Sequence, residues 1–310
     1  MKTVSIVVPC RNEEQAIAPL MSRLEPVHAQ LAAVRLEVVF VNDGSNDATL
    51  AAMVAAQQAF TGGEVVIVDL SRNFGKEAAL SAGLSVCTGD AAIPLDADLQ
   101  DPPELIASMV ERWEAGAEVV LARRADRSTD SWLKRTSAHA FYALQNATSD
   151  VSIPADVGDF RLMDRAVVDV INALPENRRY MKGLFAWAGF RTESIDYARP
   201  ARASGATQYN AWRLARLALE GLTSFSLAPL RIATVVGAGV ALFALVKGAQ
   251  IAIRTLMYGV DVPGYASIFS AVAFLGGFQL FCLGIIGEYV GRTYLEAKRR
   301  PAFVIRKVLR

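Results

Sequence analysis

Ala91-Ala-Ile-Pro-Leu-Asp-Ala-Asp-Leu-Gln-Asp-Pro-Pro-Glu104 is the stretch from which the rest of the chain can be read. A short apolar run ends at Leu95, and Asp96 and Asp98 follow at once with Gln100 behind them. Residues two apart along an extended segment share a side. Asp96, Asp98 and Gln100 can then present oxygens in one direction, a donor set that suits a hard divalent cation such as Mg²⁺ or Mn²⁺. Asp101 is placed to cap a helix, with Pro102 and Pro103 in its first turn and Glu104 favoured at the same end. The stretch reads as strand, acidic turn and helix start. Alone, it is equally an ordinary solvated turn.

Outward from it the same unit recurs. Apolar runs rich in Val and Ile occupy residues 4–8, 36–41, 65–70, 91–95 and 119–121, with helical patterns at roughly 13–31, 47–60, 76–87 and 103–115. Strand–helix alternation with near-continuous apolar strands predicts an α/β fold with a mostly parallel sheet covered on both faces. Ligands of such sheets sit outside the carboxyl ends of the strands. Four loops fall there: Pro9-Cys-Arg-Asn-Glu-Glu14, Asn42-Asp-Gly-Ser-Asn-Asp47, Ser71-Arg-Asn-Phe-Gly-Lys76 and the Asp96 cluster. Each alone is common loop chemistry, since Asp47 or Ser45 can cap the next helix and Glu13 and Glu14 favour a helix N-terminus. Together they predict a single polar edge.

Composition removes several classes. The formal net charge of +1 points to no nucleic-acid partner. Three scattered cysteines, Cys10, Cys87 and Cys282, have no metal-ligand spacing and read as reduced thiols. His28 and His139 are the only histidines, which removes most His-metal and His-triad sites. No G-x-G-x-x-G follows the first strand, and neither a Walker A pattern nor G-x-S-x-G occurs. The opening residues pass straight into a strand pattern, so no signal peptide is expected. At 310 residues, 53% of them apolar, the chain holds one large domain or two smaller ones, with the apolar excess after Pro229.

The four loops, in this order and spacing, resemble glycosyltransferase family 2, and Asp-Ala-Asp-Leu-Gln-Asp-Pro-Pro-Glu resembles its polyprenyl-phosphate branch, which includes dolichol-phosphate mannose synthases. The resemblance implies a GT-A fold, a nucleotide-sugar donor and a divalent metal on Asp-x-Asp. It places Pro9, Arg11, Glu13 and Asp43 against a uridine, with Asp43 near the base. Lys76 and Asp96 fall near ribose and diphosphate, and Asp98 and Gln100 join Asp96 at the metal.

Further on, Ile153-Pro-Ala-Asp-Val-Gly-Asp-Phe-Arg-Leu-Met-Asp-Arg165 resembles a motif of bacterial prenyl-phosphate glucosyltransferases that lies by the acceptor and supplies a catalytic carboxylate. Asp159 is the preferred candidate and Asp156 the second, although either could simply cap the helix that follows. A lipid phosphate is already largely ionised, with a second pKa of about 6, so the carboxylate's main task is to orient the attacking oxygen. Arg123, Arg124 and Arg127, with Lys134 and Arg135, form a basic loop and helix start suited to the acceptor phosphate or lipid head groups, or simply a solvated surface. Arg199, Arg202 and Tyr209 lie in a basic segment resembling the family's loop over the diphosphate, although Gln208 stands where many relatives carry Lys. A plain surface loop is the alternative.

The C-terminal third reads as membrane. Residues 210–228 suggest an interfacial helix, and two apolar spans at about 230–254 and 264–288 make a hairpin, with Lys247 near one end of the first. Cations flank the hairpin, while its inner loop, roughly 254–263, offers only Arg254. The positive-inside rule puts both the catalytic domain (1–209) and a basic tail (292–310) in the cytoplasm of an inner-membrane protein. Gly276-Gly277 and Gly284 permit the close helix packing that a homo-oligomer would use. The expected reaction is inverting transfer of a hexose, glucose by preference, from a UDP-sugar to undecaprenyl or another polyprenyl phosphate. GDP-mannose or aminoarabinose transfer, or a scaffold with a degenerate domain, are the alternatives.

Overall fold

The computed structural model describes residues 1–31, 34–124, 157–176, 179–197, 228–259 and 264–310. The chain divides into two compact units, one holding the sheet together with residues 300–310, the other a helical hairpin.

In the first unit, β1 (Lys2–Cys10), β2 (Val34–Asn42), β3 (Gly63–Leu70) and β4 (Ala91–Pro94) are parallel neighbours. Between and after them run α1 (Ile17–Gln30), α2 (Thr49–Ala59), α3 (Lys76–Val86) and α4 (Leu105–Glu114). Val4, Ile6, Val38, Phe40, Val66 and Ile93 are fully buried, as strands covered on both faces require. Each such side chain stabilises the fold by roughly 1.5–3 kcal/mol. On α4, Ile106, Met109, Val110 and Trp113 follow a helical period, and all four are buried. The register pairs Cys10 with Asn42 and Asn42 with Asp69, so the carboxyl ends of β1, β2 and β3 finish level.

Three more strands extend the sheet beyond β4: β5 (Val119–Arg124), β6 (Val157–Asp164) and β7 (Thr192–Tyr197). β6 runs antiparallel between β4 and β5, and β7 lies parallel to β5. Helices α5 (Arg165–Ala173) and α6 (Met181–Trp187) come between β6 and β7 along the chain. Asp159 does not cap α5; that role belongs to Asp164, which accepts from the Ala166 amide at 2.9 Å. Residues 305–309 are likewise more than a tail. They form β8 (Ile305–Leu309), antiparallel to β3, and the order becomes β7-β5-β6-β4-β1-β2-β3-β8.

The second unit contains α7 (Ala228–Tyr258) and α8 (Tyr265–Ala297). Both contain stretches long and apolar enough to cross a bilayer, with mean hydropathy 1.9 over Ile232–Tyr258 and 1.4 over Phe274–Ala297. Side chains such as Phe243, Leu245, Leu280 and Phe281 are exposed. Arg254 belongs to α7 rather than to the hairpin loop, because the helix runs on to Tyr258. The helices expected at 131–146 and 210–225 lie outside the described residues.

Candidate active site

The carboxyl edge of β1 to β4 opens on a cleft of about 340 Å³. Pro9, Arg11, Glu13, Asp43, Lys76, Asp96 and Asp98 all line it, together with Cys10, Asn73, Gly75, Ala79 and Ala97. Four loops far apart in sequence therefore meet as expected.

Side-chain to backbone hydrogen bonds brace these loops against one another. Asn12, at φ 55°, donates its amide to Ser45 Oγ at 3.1 Å and accepts from the Asn46 amide at 2.9 Å. The Glu13 amide donates to Thr49 Oγ1 at 2.8 Å, and the Ala48 amide to Glu14 Oε2 at 3.0 Å. These contacts hold residues 11–16 out of the helix, which is why α1 begins at Ile17. Asp43 is buried, and its two oxygens accept from the Phe74 and Gly75 amides at 2.7 and 2.9 Å. It thereby shapes the cleft floor. Gly44, at φ 61°, lies so close to the next loop that a Cβ would come within 2.5 Å of the Asn73 nitrogen.

Lys76 is the centre of charge. Its Nζ lies 2.7 Å from Asp96 Oδ1 and 2.9 Å from Asp159 Oδ2, so one ammonium joins a carboxylate after β4 to one on β6. The two anions carry Lys76 above its ordinary pKa, although burial works the other way. Burial would raise the Asp159 carboxyl, but Lys76, Lys182 and Arg161 outweigh it and hold the group below its usual range. Asp159 Oδ1 is buried without a hydrogen-bond partner among the described residues, and so is Arg161 Nε. Arg161 donates to the Gly158 carbonyl at 2.7 Å and lies over the Phe185 ring; burial lowers it to about 10.

Beside this pair sits a carboxyl that the sequence reading did not select. Glu77 is pushed up to about 7, first by burial and then by the negative charge of Asp159. Its Oε2 accepts from the Met181 amide at 3.3 Å. In sequence Glu77 is an unremarkable acid in the first turn of α3; only the approach of β6 marks it. Asn73 was likewise passed over within a loop already quoted.

The acidic side of the cleft has the chemistry a divalent cation needs. Burial, then Asp98 and Asp96, raise the Glu13 carboxyl, the signature of negative charge gathered in one place. Among the described residues no three acidic, His or Cys side chains form a complete ligand set. A cation such as Mg²⁺ needs only one or two carboxylates from a protein and completes its shell with water and substrate phosphate. Asp96 and Asp98 fit this role. Gln100 does not. A turn with Leu99 at φ 57° breaks the two-residue alternation, and Gln100 is buried outside the cleft lining, its amide donating to Asp98 Oδ1 at 3.1 Å. Asp101 is not a helix cap either. It is buried and accepts from the Tyr197 hydroxyl, while α4 begins after Glu104 with no side-chain cap.

The predicted acceptor cations separate. Arg123 makes a two-pronged pair with Asp196 on β7, at 2.6 and 2.9 Å. Arg124 is the next residue along β5 and so faces the other side of the sheet. Its charge is felt by Tyr197, and its Nε is buried without a hydrogen-bond partner among the described residues. These two therefore form no common patch. Asp156, Arg127, Lys134, Arg135, Arg199, Arg202 and Tyr209 lie outside the described residues.

Comparison with known proteins agrees with this geometry. The family model for glycosyl transferase family 2 matches residues 5–171, and that for the GtrB C-terminal hairpin matches residues 228–293. The chain is 48% identical, over 98% of its own length and 99% of the relative's, to a prophage bactoprenol glucosyl transferase homolog of Escherichia coli (strain K12). It is 46% identical to an uncharacterized glycosyltransferase of Synechocystis, over 97% of this chain and 94% of that one. Among solved structures, glucosyl-3-phosphoglycerate synthase from Mycobacterium tuberculosis, crystallised with Mn²⁺, UDP-glucose and phosphoglyceric acid, shares the fold. The TM-score is 0.51 at 19% identity, over 72% of this chain and 79% of that one. The apolar hairpin makes this a membrane-associated protein, its sheet domain is an enzyme that transfers sugars, and the chain belongs to glycosyltransferase family 2.

Proposed function

We propose that this enzyme transfers glucose from UDP-glucose to undecaprenyl phosphate or a close polyprenyl phosphate, with inversion, and releases UDP. The observation that carries the reading is the Lys76 ammonium shared between Asp96 and Asp159. It joins the carboxylates of the donor cleft to the one expected beside the acceptor. Full-length likeness to bactoprenol glucosyl transferases supports the choice of sugar and carrier.

In this reading Arg11 and Glu13 border the nucleoside, and Asp43 fixes the loop on which it rests. Asp96 and Asp98 would hold the divalent ion, which supplies positive charge against the diphosphate as it leaves. Asp159 orients the acceptor phosphate, whose oxygen attacks the anomeric carbon while the bond from that carbon to UDP breaks. An ionised phosphate needs little proton removal, so a carboxylate held in its charged form is suited to orientation through a residual proton or bound water. Lys76 offsets the repulsion between Asp159 and the incoming anion. In this reading the protein belongs to an inner membrane, which the apolar hairpin supports, and the Arg and Lys residues after α8 favour a cytoplasmic catalytic domain.

The test is a panel of radiolabelled nucleotide sugars offered with undecaprenyl phosphate, with and without a chelator. Lipid-extractable label from UDP-glucose alone, lost on chelation, is the expected result. Label from GDP-mannose instead would overturn the donor assignment, and label that survives chelation would overturn the metal role.

A further inference from the structure

The loop between β3 and α3 carries Asn73, Gly75 and Lys76 into the cleft, and it is fastened at both ends. Asp43 holds the far end through the Phe74 and Gly75 amides. The near end is held by the segment that follows α8 along the chain. The Ser71 amide donates to the Val304 carbonyl at 2.9 Å, and Arg306 donates to the Ser71 carbonyl at 2.8 Å. Arg306 also pairs with Asp69 at 3.3 Å. The Asp69 carboxylate is buried, and its other oxygen accepts from Asn42 Nδ2 at 2.8 Å. Asn42 Oδ1 in turn accepts from the Ser45 amide at 3.1 Å. One guanidinium thus braces two of the four cleft loops. The 42–47 loop is reached through Asp69 and Asn42, and the 71–76 loop through Ser71.

We propose that Arg306 is a positioning residue for the donor cleft, and that residues 304–306 act as a clasp that sets the 71–76 loop for nucleotide-sugar binding. The inference rests on reading this cleft as the donor site. A strand that merely covered a sheet edge would need only backbone pairing, which Ile305–Leu309 already provides against β3. The Arg306 side chain adds contacts that lead away from the strand and toward the cleft. Charge-assisted bonds of this kind hold geometry more firmly than neutral ones. Without them the loop samples arrangements in which Asn73 and Lys76 do not face the donor, and donor affinity falls while the chemistry of the bound complex is kept.

The experiment compares full-length Arg306→Ala, Arg306→Lys and Arg310→Ala with the wild type in detergent. Arg310 pairs with Glu64 at 3.8 Å near the other end of β3 and serves as the control. Arg306→Ala should raise the KM for the donor roughly fivefold to tenfold with kcat within about twofold. Arg306→Lys, able to satisfy one of the two contacts, should fall between, and Arg310→Ala should match the wild type. Hydrogen exchange is followed in parallel on the peptide covering residues 71–76, where Arg306→Ala should speed exchange about tenfold. An unchanged KM and unchanged exchange would overturn the proposal. So would a fall in kcat alone with a lowered melting temperature, which marks a purely structural role. If the wild type transfers nothing from UDP-glucose, the functional reading fails, and the exchange measurement still decides whether the clasp exists.

Discussion

The two halves of the sheet do different work and are built differently. Among themselves β1 to β4 pair in parallel, their strands are mostly apolar, and the groups that line the cleft stand at one edge. Beyond β4 the direction reverses. β6 is antiparallel, and it carries Asp159 and Arg161 within the strand itself. The parallel half therefore keeps its site outside the core, where water and a large anionic donor can enter. The antiparallel half takes charge into a half-buried wall, where each ion needs a named partner. Lys76 joins the two across the cleft, and the comparison is sharpest when each side of it is cut in turn.

The largest effect is expected on the antiparallel side. Asp159→Asn keeps the shape of the side chain but removes its charge, and kcat should fall by roughly 10²–10⁴. Donor KM should stay nearly constant, because the donor cleft is built from the other half. A steady-state measurement with varied UDP-glucose separates the two; a large rise in KM with kcat intact would erase the division of labour.

Cutting the parallel side comes next. Asp98→Ala should lower kcat/KM by about 10² if the acidic pair carries the charge that opposes the leaving diphosphate. The loss should appear equally when wild-type enzyme is treated with chelator, and chelator should add little to the variant. Additive losses would mean that Asp98 acts apart from any ion.

Lys76→Met tests the link. Roughly tenfold in kcat/KM is expected, since the ammonium is partly exposed and its ion pairs are screened. The pH profile is the more telling readout. Lys76 is the leading group that holds Asp159 below its usual range against the pull of burial. Without it, burial prevails, Asp159 protonates at higher pH, and the acid limb of the rate profile moves upward. An unmoved limb would show that Lys182 and Arg161 alone set the charge of Asp159.

The same division explains what could be read in advance. The parallel half was legible because its strands are near-continuous apolar runs and its loops carry motifs at a fixed spacing. β6 was hidden because Asp159 and Arg161 stand where an inner strand would show apolar residues. β8 was hidden because Arg306 and Lys307 read as part of a basic tail. The strict alternation from Asp96 to Gln100 fails for a local reason, the left-handed turn at Leu99, which no alternation rule foresees. The bond from Tyr197 to Asp101 joins residues that no periodicity relates, and a pairing of that kind becomes visible only in three dimensions.

The smallest effect concerns the acid that sequence did not mark. Glu77 titrates near 7 in the folded protein against 4.5 as its ordinary value, because burial and Asp159 disfavour its charge. The folded state therefore holds this proton more tightly than the unfolded chain. The resulting stability is fully present below pH 4.5 and is lost as pH rises through 7. Glu77→Gln removes the titration and should stabilise the enzyme at pH 8 by on the order of 1 kcal/mol, a shift of a few degrees in melting temperature. At pH 5 the variant and the wild type should melt together. At the acid pH where Asp159 titrates Glu77 is already uncharged, so the substitution should leave the acid limb of the rate profile where it is. A variant that melts equally above wild type at both pH values would mean that packing, and not charge, separates Glu from Gln at this position.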